Sequence, residues 1–195
     1  VALRLFDDVA GGGKFTEMWR VPSSEWNWDR TKLVAGDFNA DGKSDLVGVY
    51  WYQSGDAGFR VMDAVATPGL NATRTWHHGA DSQVWERAKP VAGDFTGDGT
   101  DDIAFLYLSA EGDTRLWVFD DVVGGAEYTR MWSETDIGQA WDWARSRVVT
   151  GDFNGDGLVD IAATHPNTVS GATGSELRVM LKVATSKAVP SVVWR

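Results

Sequence analysis

The chain has 195 residues, enough to bury a core, and no run approaches the roughly 18 uninterrupted apolar residues of a membrane helix. Its formal net charge of −10 argues against nucleic acid, whose binders need basic patches to displace counterions. It has no cysteine, which excludes disulfides and thiolate metal sites and fits a secreted protein that takes its stiffness from a bound metal. The chain opens on Val1, so a processed product or a piece of a longer protein is expected.

Along the chain, short runs rich in β-branched and aromatic residues alternate with Gly, Asp, Asn and Ser, and no helical period stands out. Residues 3–6 and 15–19 form one pair of such runs. After the connection Trp26-Asn27-Trp28-Asp29-Arg30 come four more, at 32–38, 45–51, 59–62 and 73–76. His77 and His78 follow in a connection; such a pair could bind metal or line a sugar pocket, but reads more simply as solvated. After Trp85-Glu86-Arg87 the pattern repeats at 89–95, 102–108, 116–119 and 128–132. After Trp141-Asp142-Trp143-Ala144-Arg145 it repeats again at 147–153, 160–164, 177–180 and 192–194.

One phrase marks each repeat. Gly36-Asp37-Phe38-Asn39-Ala40-Asp41-Gly42 recurs as Gly93-Asp94-Phe95-Thr96-Gly97-Asp98-Gly99 and as Gly151-Asp152-Phe153-Asn154-Gly155-Asp156-Gly157, at intervals of about 57 residues. Four strands per repeat at that period predict an all-β fold, a β-propeller segment. Full blades are expected at 30–78, 87–133 and 145–195. Residues 1–20 supply only the two outer strands of another, so the chain holds about three and a half four-stranded blades. Propellers close with about four to eight blades, so further blades from the same parent protein or another chain are expected to complete the ring.

The repeated phrase has the oxygen spacing of a calcium loop. Ca²⁺ is a hard cation that needs several oxygen ligands at once, which alternate positions of a turn supply. The first loop offers Asp37, Asn39, Asp41, the carbonyl of Lys43 and Asp45. The second offers Asp94, Thr96, Asp98, the carbonyl of Thr100 and Asp102. The third offers Asp152, Asn154, Asp156, the carbonyl of Leu158 and Asp160. Three Ca²⁺ sites are therefore expected, the second weakest because Thr96 replaces an amide. The spacing departs from an EF-hand, which closes on a Glu at its twelfth position between helices. The alternative is an acidic hairpin turn, since Asp, Asn and Gly favour turns, but three copies with the same five-ligand spacing argue against it.

Gly-Asp-Phe-Asn-x-Asp-Gly followed by Asp-Leu or Asp-Ile resembles the FG-GAP (VCBS-type) repeat of integrin α-chain propellers and of many secreted propellers. The resemblance spans nearly the whole chain. It implies a seven-bladed ring, with calcium in the hairpin between the first two strands of a blade. The Gly-Ala-Pro half of that motif is absent: Gly48-Val49-Tyr50 and Phe105-Leu106-Tyr107 stand there. The Asp-x-Ser-x-Ser metal motif of the integrin ligand site is absent too. In period and Trp content the chain looks more like the calcium-dependent propeller lectins of that superfamily, which bind sugars between neighbouring blades.

Eleven Trp carry the remaining signal. Trp19, Trp76, Trp132 and Trp194 end the outer strands and read as packing. The connections hold Trp26, Trp28 and Arg30, then Trp85 and Arg87, then Trp141, Trp143 and Arg145. These residues could stack and hydrogen-bond a sugar, or could lock neighbouring blades by cation–π contact. Trp26 and Trp141, absent from the middle copy where Gln83 stands, tilt that choice toward binding. His165 completes the histidines. No nucleophile–base pair, zinc motif or phosphate loop occurs, so no enzyme is expected. The expected role is a secreted, calcium-stabilised module that binds a glycan or another cell-surface partner, with no membrane insertion. A protein-binding adhesion or scaffold propeller, and an accessory domain of a larger secreted enzyme or toxin, are the alternatives.

Overall fold

The computed structural model describes residues 2–7, 11–63, 72–79, 82–137, 141–166, 174–181, 183 and 191–194. Among them the protein is all-β, with four antiparallel sheets in chain order. The first has two strands, β1 (Ala2–Asp7) and β2 (Lys14–Arg20). The second runs β3 (Thr31–Gly36), β4 (Asp45–Trp51), β5 (Ala57–Met62) and β6 (Thr73–His78). The third runs β7 (Ala88–Gly93), β8 (Asp102–Leu108), β9 (Thr114–Asp120) and β10 (Glu127–Ser133). The fourth runs β11 (Arg147–Gly151), β12 (Asp160–Pro166), β13 (Ser175–Met180) and β14 (Ser191–Trp194). In the four-stranded sheets each strand pairs with its chain neighbour, and β7 packs between β3 and β11, so these sheets follow one another along a common inner edge. The helical turns α1 (Ser82–Arg87), α2 (Glu134–Ile137) and the 3-10 turn Trp28–Arg30 lie in connections between sheets and are too short to leave a period in the sequence.

Hydrophobic layers fill the spaces between sheets. Met18, Trp26, Tyr50 and Met62 pack between the first and second. A larger layer centred on Phe59, Phe105 and Phe119 joins the second and third, with rings tilted or edge-on at centroid distances of 4.7–5.8 Å. Phe95, Leu106, Leu116, Trp132, Trp141 and Ile161 join the third to the fourth. Strand β8 shows the consequence. Ile103, Phe105 and Tyr107 face one layer while Ala104 and Leu106 face the other, and only Leu108 at its end escapes full burial.

The inner ends of neighbouring sheets approach closely at a glycine. A Cβ on Gly36 would meet the Asp101 carboxylate at 2.5 Å and its Cβ at 2.9 Å; one on Gly93 would meet the Val159 Cβ at 2.9 Å. The main chain is clamped at the same points. Asp101 N–H donates to Asp37 O at 2.8 Å and Val159 N–H to Asp94 O at 3.0 Å. The first residue of the repeated phrase therefore serves packing between sheets rather than the turn itself.

The far face of the fourth sheet lacks such cover. Val149 and Phe153 are 59% and 50% exposed, whereas Val34, Phe38 and Phe95 at corresponding places in the earlier copies are buried. With Leu177, Val179 and Leu181 they line a shallow apolar groove.

Gly93→Ala is expected to lower the melting temperature by several degrees, since the Cβ of Val159 cannot give way without moving main chain that is hydrogen-bonded to Asp94 O and leads into β12. Gly151→Ala, whose new Cβ would meet only the Phe153 ring at 3.3 Å, is expected to cost far less. Parallel thermal melts compare the two.

Candidate functional site

The Trp-Arg connections divide into two structural roles. Trp85 and Trp143 bridge neighbouring sheets. The indole N–H of Trp85 donates to Val49 O at 2.9 Å and that of Trp143 to Leu106 O at 3.0 Å, each acceptor lying in the preceding sheet. A lysine from that sheet's first strand caps each indole. Lys32 Nζ lies 4.6 Å from the Trp85 ring and donates to Trp85 O and Ala88 O at 2.5 and 2.7 Å. Lys89 repeats this at 4.6 Å over Trp143, donating to Trp143 O and Ser146 O at 2.5 and 2.8 Å. Trp28, the same position in the first copy, is 59% exposed; the two-stranded sheet before it has no counterpart of β4 or β8 to offer the carbonyl.

Trp26 and Trp141 are core residues, 3% and 6% exposed. Trp26 packs edge-on to Trp19 at 5.2 Å and tilted on Tyr50 at 4.9 Å, and lies so close to β4 that a Cβ on Gly48 would meet its ring at 2.9 Å. Trp141 stacks on His165 at 4.8 Å, and the β12 residue matching Gly48 is Ala163. In the middle copy that strand position carries Phe105, buried against Phe59 and Phe119. A small strand residue thus accompanies Trp in the connection, and a large one accompanies its absence. Volume compensation, not ligand contact, accounts for the unequal recurrence that pointed sequence reading toward binding. Burial also means that truncating either Trp costs stability.

The arginines of the connections differ as well. Arg30 lies over the Trp51 ring at 5.1 Å; Arg87 is half-buried; Arg145 is exposed and pairs with Asp142, Nε to Oδ2 at 2.8 Å. Arg60 and Arg178 were missed from the sequence. Their signal was a cation inside the apolar runs Phe59-Arg60-Val61-Met62 and Leu177-Arg178-Val179-Met180, where the middle copy has Trp117.

Arg60 sits at the centre of two adjoining clefts around the first and second sheets. One, about 540 Å³, is lined by Trp19, Val21, Glu25, Trp26, Arg60 and Ala72. The other, about 380 Å³, shares Glu25 and Arg60 and adds Ser23, Ser24, Asn27, Arg30, Tyr50, Tyr52 and Gln53. The Arg60 guanidinium lies 5.7, 6.0 and 5.5 Å from the rings of Trp26, Tyr50 and Tyr52. Aromatic faces beside hydroxyl, amide and guanidinium groups can stack on one side of a polar ring and hydrogen-bond its rim.

The three acidic loops fold alike. Gly42, Gly99 and Gly157 take φ of 81°, 90° and 90°, and Ala40 accepts a left-handed φ of 58° where the other copies have Gly97 and Gly155. The first Asp of each loop gathers backbone N–H groups: Asp37 from Asp41 and Gly42, Asp94 from Gly97 and Gly99, Asp152 from Gly155, Asp156 and Gly157. Those donors hold the Asp152 carboxyl below its ordinary value, Gly157 first. Asn39, Asp41, Asp98, Asn154 and Asp156 each accept one N–H two residues on. Thr96 donates its N–H to Asp102, and Lys43, Thr100 and Leu158 donate main-chain N–H groups to Asp41, Asp98 and Asp156. The closing residues Asp45, Asp102 and Asp160 are buried. Burial pushes the Asp102 carboxyl up to about 7, and although Oδ2 accepts from Phe95 and Thr96, Oδ1 has no hydrogen-bond partner. A buried carboxylate oxygen without a donor, at the end of an oxygen-rich turn, suits a hard cation by its chemistry. Against that, no three His, Asp or Glu side chains among the described residues stand together as a metal-binding group.

No protein-family model and no curated protein matches the sequence. Among solved structures, the fold is similar to that of an Agrocybe aegerita lectin described as recognising non-reducing terminal N-acetylglucosamine. The TM-score is 0.57 at 16% identity, and the match covers 91% of this chain and 41% of the lectin's length. The shared feature is the fold of successive antiparallel sheets.

Burial, followed by the nearby Lys89 charge, lowers the Lys32 ammonium to about 8 from its ordinary 10.5. Between those values the unfolded chain binds more protons than the folded one, so this group makes stability rise as pH climbs from about 8 toward 10.5. Urea unfolding across that range is expected to show a shallower rise in Lys32→Met than in the parent protein.

Proposed function

We propose that the protein is a carbohydrate-binding, lectin-like module built as consecutive blades of a β-propeller, with its glycan seat in the paired clefts around Arg60. The observation that carries this reading is the cleft itself. Half-buried Trp19 and Tyr52 supply ring faces, backed by the buried rings of Trp26 and Tyr50, beside the polar groups of Ser23, Ser24, Asn27, Gln53, Arg30 and Arg60, where a neighbouring pair of sheets opens. The fold likeness to a lectin supports it. The sites of the three-copy pattern are not equivalent in this reading: the first is open, while Trp85 and Trp143 act as struts between sheets.

Ca²⁺ in the three loops belongs to the same proposal. Asp37, Asn39, Asp41 and Asp45, with the Lys43 carbonyl, would hold one ion, and the corresponding residues of the other copies would hold two more. Bound metal would supply positive charge to carboxylates that otherwise crowd one turn, and so would stiffen the hairpin between the first two strands of a sheet. A secreted protein meets enough calcium for this. The uncovered face of Val149, Phe153 and Leu181 is read as the seat of a further sheet of the same kind.

Two measurements test the proposal. A glycan array with the labelled protein, run in calcium and after chelation, is expected to show a coherent sugar family; a blank array from folded protein would move the weight to a protein partner. Adding calcium to chelated protein is expected to raise the melting temperature by several degrees, with most of the middle loop's share lost in Asp102→Asn. An unchanged melt would remove calcium from the account.

A further inference from the structure

The repeats provide an internal control on the cleft's charge. Cross-strand register pairs Tyr50 with Gly58 in the second sheet and His165 with Glu176 in the fourth, so Arg60 and Arg178 occupy matching places. The connections align Asn27 and Arg30 with Asp142 and Arg145.

In the fourth sheet both guanidiniums are neutralised from within the chain. Buried Arg178 donates Nε and Nη2 to Glu176 Oε2 at 3.1 and 2.9 Å, while its guanidinium carbon lies 5.2 Å from the Trp141 ring. Arg145 pairs with Asp142. The neighbouring His165 imidazole is held below its ordinary value by burial and then by Arg178.

At the first cleft both counterions are missing. Gly58 stands in place of Glu176, and Asn27 in place of Asp142. A Cβ on Gly58 would meet Trp76 O at 2.5 Å and the Tyr52 ring at 3.1 Å, so aromatic ring and main chain occupy the space an acid would need. Arg60 donates Nη1 to Ala72 O at 3.3 Å, and its Nε is buried without an acceptor. Among the described residues neither Arg60 nor Arg30 makes an ion pair, and the buried Tyr52 hydroxyl has no hydrogen-bond partner. Among the described residues Glu25 is the one carboxylate lining the clefts. Two guanidiniums without counterions among the described residues form a seat for an oxyanion despite the chain's overall negative charge, because charge-assisted hydrogen bonds to such a group are about twice as strong as neutral ones.

We infer that this cleft takes a sugar bearing an oxyanion, a uronate carboxylate or a sulfate ester, with Arg60 and Arg30 as its counterions. The inference rests on the carbohydrate reading above and narrows it to one chemical class. The matching place in the fourth sheet, closed by its own ion pairs, does not share this preference.

Calorimetric titration of the whole chain with glycans identical except for a terminal glucuronate, a glucose or a 6-sulfated glucose tests it. An oxyanion-bearing glycan is expected to bind at least about tenfold tighter than its glucose counterpart. That ratio is expected to collapse in Arg60→Gln and to shrink in Asn27→Asp, where a new carboxylate would pair with Arg30 as Asp142 does with Arg145. Asn27→Asp keeps the side-chain oxygen that accepts the Asp29 N–H at 2.9 Å, so it guards against a merely unfolded Arg60 variant. Preference for glucuronate or for sulfate identifies which oxyanion the cleft takes, and either supports the inference. Equal affinity for glucose and both acidic glycans, or a preference that survives both substitutions, overturns it while leaving the carbohydrate reading intact. Failure of every glycan to bind overturns both.

Discussion

A β-sheet with two apolar faces is soluble only when both are covered, and most of this structure follows from that constraint. Strand β8 is buried on both sides because a sheet lies against each. The close approach at Gly36 and Gly93, the clamps from Asp101 and Val159, and the Lys-Trp locks all hold one sheet against the next. Where the series stops, the same residue types are left open to solvent: Val149 and Phe153 on one side, Trp28 on the other. Fully burying a Val or Phe side chain is worth about 1.5–3 kcal/mol, so covering Val149 and Phe153 would add substantial stability.

The strands were legible in the sequence because alternating β-branched and aromatic residues between Gly and Asp are the direct imprint of a pleated, buried strand. Runs placed at 45–51 and 102–108 coincide with β4 and β8. Runs drawn through Phe38, Phe95 and Phe153 overshoot, since the strands end at Gly36, Gly93 and Gly151 and each Phe turns inward or outward from the loop. The run at 192–194 falls within β14, whose side chains lie outside the described set, as do those of Gln83 and Trp194.

The site was less legible, for reasons of partnership rather than composition. A Trp that stacks on a ligand and a Trp that fills a gap beside glycine look the same in one dimension. Only the pairing of Trp26 with Gly48, and of Phe105 with the copy lacking that Trp, separates them. Likewise an arginine in an apolar strand gives no hint of whether it has a counterion. Arg60 and Arg178 differ through Gly58 and Glu176, two residues back on the same strand face, a pairing hidden because runs drawn at 59–62 and 177–180 begin after those residues.

Within the three four-stranded sheets every hydrogen-bonded strand pair joins chain neighbours, and the contacts between sheets join corresponding points about one repeat apart. No closure of the whole chain is needed before the first favourable contact forms. Each sheet can collapse from its own contiguous stretch and then be extended at either side, so folding can begin at any repeat and spread by addition, as in a linear array. During synthesis the earlier sheets can then be assembled while later ones are still being made, and a slow step confined to one repeat delays its neighbours rather than the entire molecule.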